Sequence, residues 1–142
     1  MKKTAVVYWS STGNTEAMAK AIADAVNQNG GEATEIEASA FSADDVSKYD
    51  TIAFGCPAMG AEVLEESEFE PMFASVESSL SGKKIGLFGS WGWGEGAWME
   101  DWKDRCVKDG AVLVADPVIC QEAPDAVAIA ACEDLGKALV AA

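Results

Sequence analysis

Histidine is absent from this chain of 142 residues, and arginine occurs once, at Arg105. Without imidazole no Ser-His-Asp or Cys-His arrangement is available, and the commonest general base is missing. A single guanidinium argues against an arginine clamp on phosphate. The four cysteines, Cys56, Cys106, Cys120 and Cys132, are scattered with no C-x-x-C pair. That spacing matches no iron–sulfur ligation pattern, and a zinc site would need distant thiolates and carboxylates. The cysteines therefore read as buried, reduced thiols that act as small hydrophobes. Long apolar runs are also missing, since Ala5–Trp9 and Ala111–Ala115 are far too short to cross a bilayer. Met1-Lys2-Lys3 begins basic but leads straight into a strand-like segment, without the apolar stretch and cleavage site of a signal peptide. A cytoplasmic protein is expected, and one that works through a cofactor.

Positive charge is scarce: 10 Lys and Arg stand against 24 Asp and Glu, for a net charge of −14. This argues against nucleic acid or an anionic membrane as partner, because both attract positive charge. Two readings of the acidity remain, solubility and docking onto a basic surface of another protein. The length fits one domain, residues 1–142, with room for a substantial core.

What is present is a strict alternation of short apolar runs and amphipathic stretches, the pattern of a parallel sheet covered on both faces. Strands are predicted at Ala5–Trp9, Ala33–Glu37, Asp50–Cys56, Ile85–Gly89 and Val112–Ala115, the last resuming past Pro117 at Val118–Cys120. The second alternates polar and apolar residues and reads as an edge strand; the third is apolar nearly throughout and reads as central. Helices are predicted at Asn14–Gln28, Glu66–Leu80, Ala97–Lys108 and from Pro124-Asp125 onward, with proline favoured at a first helical position. The first carries a stripe of Met18, Ile22 and Val26 and ends at Asn29-Gly30-Gly31, suited to a left-handed C-cap. In the second, Phe69, Phe73, Val76 and Leu80 should face inward; in the last, Val127, Ala131, Leu135 and Leu139. Five strands and four helices leave two sheet orders, 2-1-3-4-5 and a fragment of a longer dinucleotide-binding sheet. The alternating second strand favours the former. Ligands bind beyond the carboxyl ends of such strands, which directs attention to the loops after Trp9, Cys56 and Gly89.

The first loop, Ser10-Ser11-Thr12-Gly13-Asn14-Thr15, holds four hydroxyls, a glycine and an amide before a helix start. Backbone N–H groups and the helix dipole could hold a dianion there without lysine, but a hydroxyl-rich helix cap would look the same. It is neither a Walker P-loop nor a G-x-G-x-x-G turn. The second, Pro57-Ala58-Met59-Gly60-Ala61-Glu62, is by itself a small-residue turn. The third, Ser90-Trp91-Gly92-Trp93-Gly94-Glu95-Gly96, places indoles suited to stacking beside glycines that admit a close ligand.

Together these loops resemble the short-chain flavodoxins. The [ST]-x-T-G-x-T phosphate loop of that family is present as Ser10–Thr15, and the resemblance continues through Gly55–Glu62 and Phe88–Trp98. It implies the flavodoxin-like doubly wound α/β sheet in order 2-1-3-4-5 and non-covalently bound FMN. Ser10, Ser11, Thr12, Gly13, Asn14 and Thr15 should wrap the phosphate, with Ser90 nearby. Met59 and Trp93 should lie against the two faces of the isoalloxazine. Gly60 should present its main chain to N5, and Glu62 should accept from N3–H. The main chain from Gly92 to Gly94 should reach the O2 and N1 edge, and Ala58, Ala61 and Trp91 should also belong to the cofactor-binding residues. Two positions depart from the family: Pro57 stands where several relatives have a phosphate-assisting serine, and Ala61 where some have a residue more tolerant of positive φ.

The resemblance further implies a monomeric one-electron carrier and not an enzyme, cycling through a neutral semiquinone and an anionic hydroquinone. The net charge of −14 should lower the second potential. Its partners should be redox enzymes with basic docking surfaces, with Glu62, Glu65 and Glu66 as steering charges and the latter two the cleaner probes. If Met59–Glu62 is a four-residue turn, the form accepting the N5 proton puts positive φ at Ala61, and the alternative form puts it at Gly60. An FMN-dependent quinone or nitro reductase would need a nicotinamide site or a proton donor that is not evident. A receiver domain would need acids after the first strand, which reads Trp9-Ser10-Ser11. A low-molecular-weight phosphatase needs C-x5-R, and Arg105 precedes Cys106.

Overall fold

The computed structural model describes residues 2–10, 13–59, 63–92 and 96–142. Strands β1 (Lys3–Tyr8), β2 (Glu32–Glu37), β3 (Thr51–Gly55), β4 (Lys84–Trp91), β5 (Val112–Leu113) and β6 (Val118–Gln121) form one parallel sheet. Its order is β2-β1-β3-β4-β5, with β6 also paired to β4, so β5 and β6 together occupy the fifth position. This is the expected 2-1-3-4-5 order. Every residue of β3 is buried, as expected of a strand covered on both faces. The hydroxyls of Thr4 and Thr51 satisfy each other in this interior at 2.8 Å.

Alternation along the strands divides the core into two layers. Ala5, Val7, Ile52, Phe54, Ile85 and Leu87 face α3 (Phe69–Val76) and α4 (Ala97–Lys108), while Val6, Ala53 and Phe88 face α1 (Asn14–Gln28) and α5 (Ala126–Ala141). The first layer is aromatic: Phe54 meets Phe73 edge-on at 5.2 Å, and Phe69 meets Trp102 edge-on at 5.3 Å. Each such pair adds about 0.5–1.5 kcal/mol beyond its burial. Arg105 lies 4.9 Å over the Phe73 ring and forms a bidentate pair with Glu70, both contacts at 2.7 Å, besides bonding Glu77. The lone arginine thus joins α4 to α3.

α1 and α4 have the expected bounds. Gly30 has φ 90°, and Gly31 N–H donates to the Val26 carbonyl at 2.9 Å, closing α1 with the predicted glycine cap. Phe69, Phe73, Val76 and Leu80 are all buried, although the regular helix α3 starts three residues later than expected and ends in a 3-10 turn at Glu77–Ser79.

Several expectations need correction. A short helix α2 (Ala43–Val46), opened by a Ser42–Asp45 capping box, makes five α-helices among the described residues. α5 starts two residues later than expected: Asp125 is its N-cap, accepting from Ala128 N–H at 2.8 Å, so Pro124 precedes the helix. The buried face of α5 is Ala128, Cys132, Leu135, Gly136 and Leu139, while Val127 is 78% exposed. Gly136 decides this rotation, because a Cβ there would lie 2.8 Å from the Ile22 carbonyl and 2.7 Å from Ala25 Cβ. The helix turns its smallest residue to α1, and Val127 is carried outward. Cys120 is only half-buried, whereas the other three cysteines are buried thiols as expected. β2 is the sheet edge, but its half-buried residues Ala33 and Ile36 pack into opposite layers.

Candidate functional site

Strand β1 ends at Tyr8, and the chain continues as Trp9 and Ser10 toward the start of α1. Gly13 takes φ 93°, the left-handed region that glycine enters without strain, and its N–H donates to Ser10 Oγ at 3.1 Å. Gly13 is the N-cap of α1 and contributes no side-chain cap; the helical bonding starts with Ala17 N–H to Gly13 carbonyl at 3.0 Å. Among the described residues no side chain caps the first N–H groups of α1, which stand at the positive end of the helix dipole, where an anion is favoured.

The ladder continues past the strand ends and draws the loops together. Trp9 N–H donates to Gly55 carbonyl at 3.1 Å, Cys56 N–H to Phe88 carbonyl at 3.2 Å, and Ala58 N–H to Ser90 carbonyl at 3.0 Å. A cavity of about 250 Å³ opens where they meet, lined by Ser10, Asn14, Thr15, Pro57, Ala58, Met59, Ser90, Trp91, Gly92 and Glu122. Within its lining the buried hydroxyls of Thr15 and Ser90 meet at 3.2 Å. Residues from all three predicted loops thus share one cavity. Ser11, Thr12, Gly60, Ala61, Glu62, Trp93 and Gly94 lie outside the described residues.

Two features differ from expectation. β4 runs to Trp91, so Ser90 and Trp91 are strand residues and not loop residues; they are held by register with Cys120 and Gln121 of β6. A fourth segment also reaches the site. Glu122 N–H donates to the Trp91 carbonyl at 2.8 Å, Gln121 Nε2 donates to the Gly92 carbonyl at 3.4 Å, and Glu122 lines the cavity. Glu122 is the one non-glycine residue with positive φ among those described, at 57°. The rule that points to the loops after the strands covers the end of β6 equally, and that was the signal to follow.

The second loop is closed at its base. Met59 and Val63 exchange both main-chain hydrogen bonds, at 2.9 and 3.1 Å. Gly89 makes the close approach here, since a Cβ would lie 2.2 Å from the Cys56 carbonyl oxygen, which also accepts from Trp98 Nε1 at 3.2 Å. Glu65, expected to be a steering charge, is 5% exposed. Burial would raise its carboxyl, but hydrogen bonds from the Ser67 hydroxyl and from the N–H groups of Phe69, Ser67 and Glu68 outweigh this and lower its pKa. It is a structural anion and not a docking charge.

A parallel doubly wound sheet whose switch point carries an uncapped helix N-terminus beside a cleft lined by small, hydroxyl and aromatic residues defines a nucleotide-phosphate-binding α/β protein. The hydroxyl and N–H donors at one end fit a phosphate, and the flatter apolar walls of Ala58, Met59 and Trp91 fit a ring system, so the described residues suit FMN. The flavodoxin family profile matches residues 6–136. The chain is 48% identical over 120 residues to the flavodoxin of Clostridium beijerinckii, covering 84% of this chain and 87% of that one. It is 46% identical over 133 residues to the flavodoxin of Megasphaera elsdenii, covering 94% and 95%. The solution structure of two-electron reduced Megasphaera elsdenii flavodoxin superposes with a TM-score of 0.91 at 45% identity, over 98% of this chain and 99% of that one. This chain belongs to the flavodoxin family, FMN-binding proteins that transfer electrons and are not enzymes.

Proposed function

We propose that the protein is a cytoplasmic, monomeric, single-domain carrier that moves one electron at a time at low potential between redox enzymes. FMN supplies the chemistry, in two separate steps through a neutral semiquinone and an anionic hydroquinone. The observation that carries the reading is the cavity at the ends of β1, β3 and β4, with the uncapped start of α1 opening at one end. Ser10, Ser11, Thr12, Gly13, Asn14 and Thr15 hold the phosphate, and Ser90 orients Thr15 from below. Met59 and Trp93 flank the ring, and Ala58 and Trp91 exclude water from its inner edge. Gly60 offers its main chain at N5, Ala61 sits in the same turn, Glu62 accepts from N3–H, and the Gly92–Gly94 main chain donates to the O2 and N1 edge.

Charge supports both the low potential and the choice of partner. Glu66 and Glu68 are exposed near the second loop, and Glu122 stands at the cavity, whereas Lys2, Lys83 and Lys84 surround a hollow at the opposite end of the sheet. A unit negative charge ~10 Å from added negative charge opposes it by about 1–2 kcal/mol at an effective dielectric of ~20. A partner with a basic surface is drawn to the acidic end that carries the cavity. The test is stepwise anaerobic reduction followed by absorbance. A yellow protein taking up electrons in two resolved one-electron steps supports the reading. A colourless protein that FMN does not reconstitute refutes it.

A further inference from the structure

Cys56 and Glu65 stand at the base of the second loop with no role in the site described so far. The Met59–Val63 pair is a single two-bond rung, and an isolated rung is marginal in water. Its incoming arm is tied to β4 through Ala58 N–H and the Ser90 carbonyl. Its outgoing arm is tied by Glu65 N–H, which donates to Cys56 Sγ at 3.3 Å; the same thiol donates to the Pro57 carbonyl at 3.5 Å. One fully buried sulfur thus touches both arms.

The Glu65 side chain then anchors the outgoing arm to the core. Oε2 accepts from Ser67 N–H at 2.7 Å and from the Ser67 hydroxyl, and Oε1 accepts from Glu68 N–H at 2.7 Å and Phe69 N–H at 2.8 Å. Glu68, the N-cap residue of α3, contributes no side-chain cap, so Glu65 caps that helix from outside it. α3 in turn is fixed by Phe69 and Phe73 in the aromatic layer. A carboxylate accepting several main-chain bonds at a helix N-terminus is a strong tether.

We propose that Cys56 and Glu65 form a clasp that positions the flavin-facing loop, Glu65 acting as a positioning residue through the Met59–Val63 rung. The proposal rests on the reading that this loop faces the flavin. The first test uses apoprotein and needs no cofactor: amide hydrogen exchange of Met59 and Val63 by NMR in wild type, Glu65→Gln, Cys56→Ala and Glu66→Gln. Glu65→Gln and Cys56→Ala are expected to accelerate both amides at least tenfold, Glu66→Gln to leave them unchanged, and Glu65→Asp to restore part of the protection. Unchanged exchange at Met59 and Val63, or acceleration confined to residues 67–69, overturns the clasp. The second test is the pair of reduction potentials of the FMN-loaded proteins. A charge effect alone would move Glu65→Gln and, by less because its charge is exposed and screened, Glu66→Gln, and leave Cys56→Ala unmoved. The clasp predicts that uncharged Cys56→Ala shifts the first potential in the same direction as Glu65→Gln. Accelerated exchange without any change in potential or FMN affinity keeps the clasp and overturns the reading that the loop faces the flavin.

Discussion

Replacing Gly89 by alanine tests how closely β3 and β4 must approach to build the site. The added Cβ would lie 2.2 Å from the Cys56 carbonyl oxygen, 3.1 Å from its carbon and 3.1 Å from Trp98 Cζ2. Ordinary carbon–oxygen contact needs roughly 1 Å more, and main chain cannot yield it as a flexible side chain would. Overpacking of this kind costs about 1–3 kcal/mol, and losing the 3.2 Å Trp98 Nε1 to Cys56 hydrogen bond adds about 1 kcal/mol. Gly89→Ala should therefore lower apoprotein stability by ~2–4 kcal/mol, a large part of the total stability of a domain this size. Because Cys56 leads into Pro57, Ala58 and Met59, the same shift should weaken FMN binding. Gly92→Ala is the control: among the described residues nothing lies within 4 Å of a Cβ there, so its apoprotein stability should stay within about 0.5 kcal/mol of wild type. Urea unfolding of apoprotein measures the first effect, and fluorescence titration with FMN the second. A Gly89→Ala protein as stable as wild type with unchanged affinity would show that the strands do not require this approach.

Trp93→Ala should weaken FMN binding by about 1–3 kcal/mol, the scale of a lost aromatic stack, and make the second reduction easier as water reaches the ring; unchanged affinity and potential would refute the stacking role. Ala61→Gly should raise the first potential and leave phosphate affinity nearly unchanged, since a left-handed alanine costs about 1–2 kcal/mol and glycine does not; a redox titration in which the first potential stays or falls contradicts the turn geometry. Electron transfer to a physiological partner should slow as salt rises, and Glu66→Gln should slow it more than a distant acid-to-amide change; rates insensitive to salt would remove electrostatic steering. Asp109 is raised to about 6 from 3.8 by burial and by its contact with the Glu77 carboxylate, and its Oδ2 has no donor unless the pair shares a proton. A raised carboxyl stabilises the fold most below its unfolded pKa and loses that contribution as pH rises through 6. Wild type should therefore lose stability relative to Asp109→Asn between about pH 4 and 6, and parallel urea-midpoint profiles over that range would refute the assignment.

Local pattern was enough for much of this protein. The 3.6-residue period and the flanking glycines set α1 and α4, because helical periodicity and left-handed caps are properties of a few neighbouring residues. The apolar run of β3 and the polar β2 placed the centre and edge of the sheet for the same reason, and from that order followed the edge at which the site lies. Tertiary structure decided what depends on approach between distant segments. The face of α5 is set by Gly136 against α1, which buries Leu135 and Leu139 and carries Val127 outward, and β4 extends to Trp91 because β6 pairs there. Glu122 reaches the cavity through a hydrogen bond to Trp91, 31 positions earlier in the chain. Glu65 looked like one more acid in an acidic chain; its neighbours in sequence do not reveal that it is buried under a helix start. Composition reports the amount of charge, and only packing determines which charges meet solvent and which hold the loop in place.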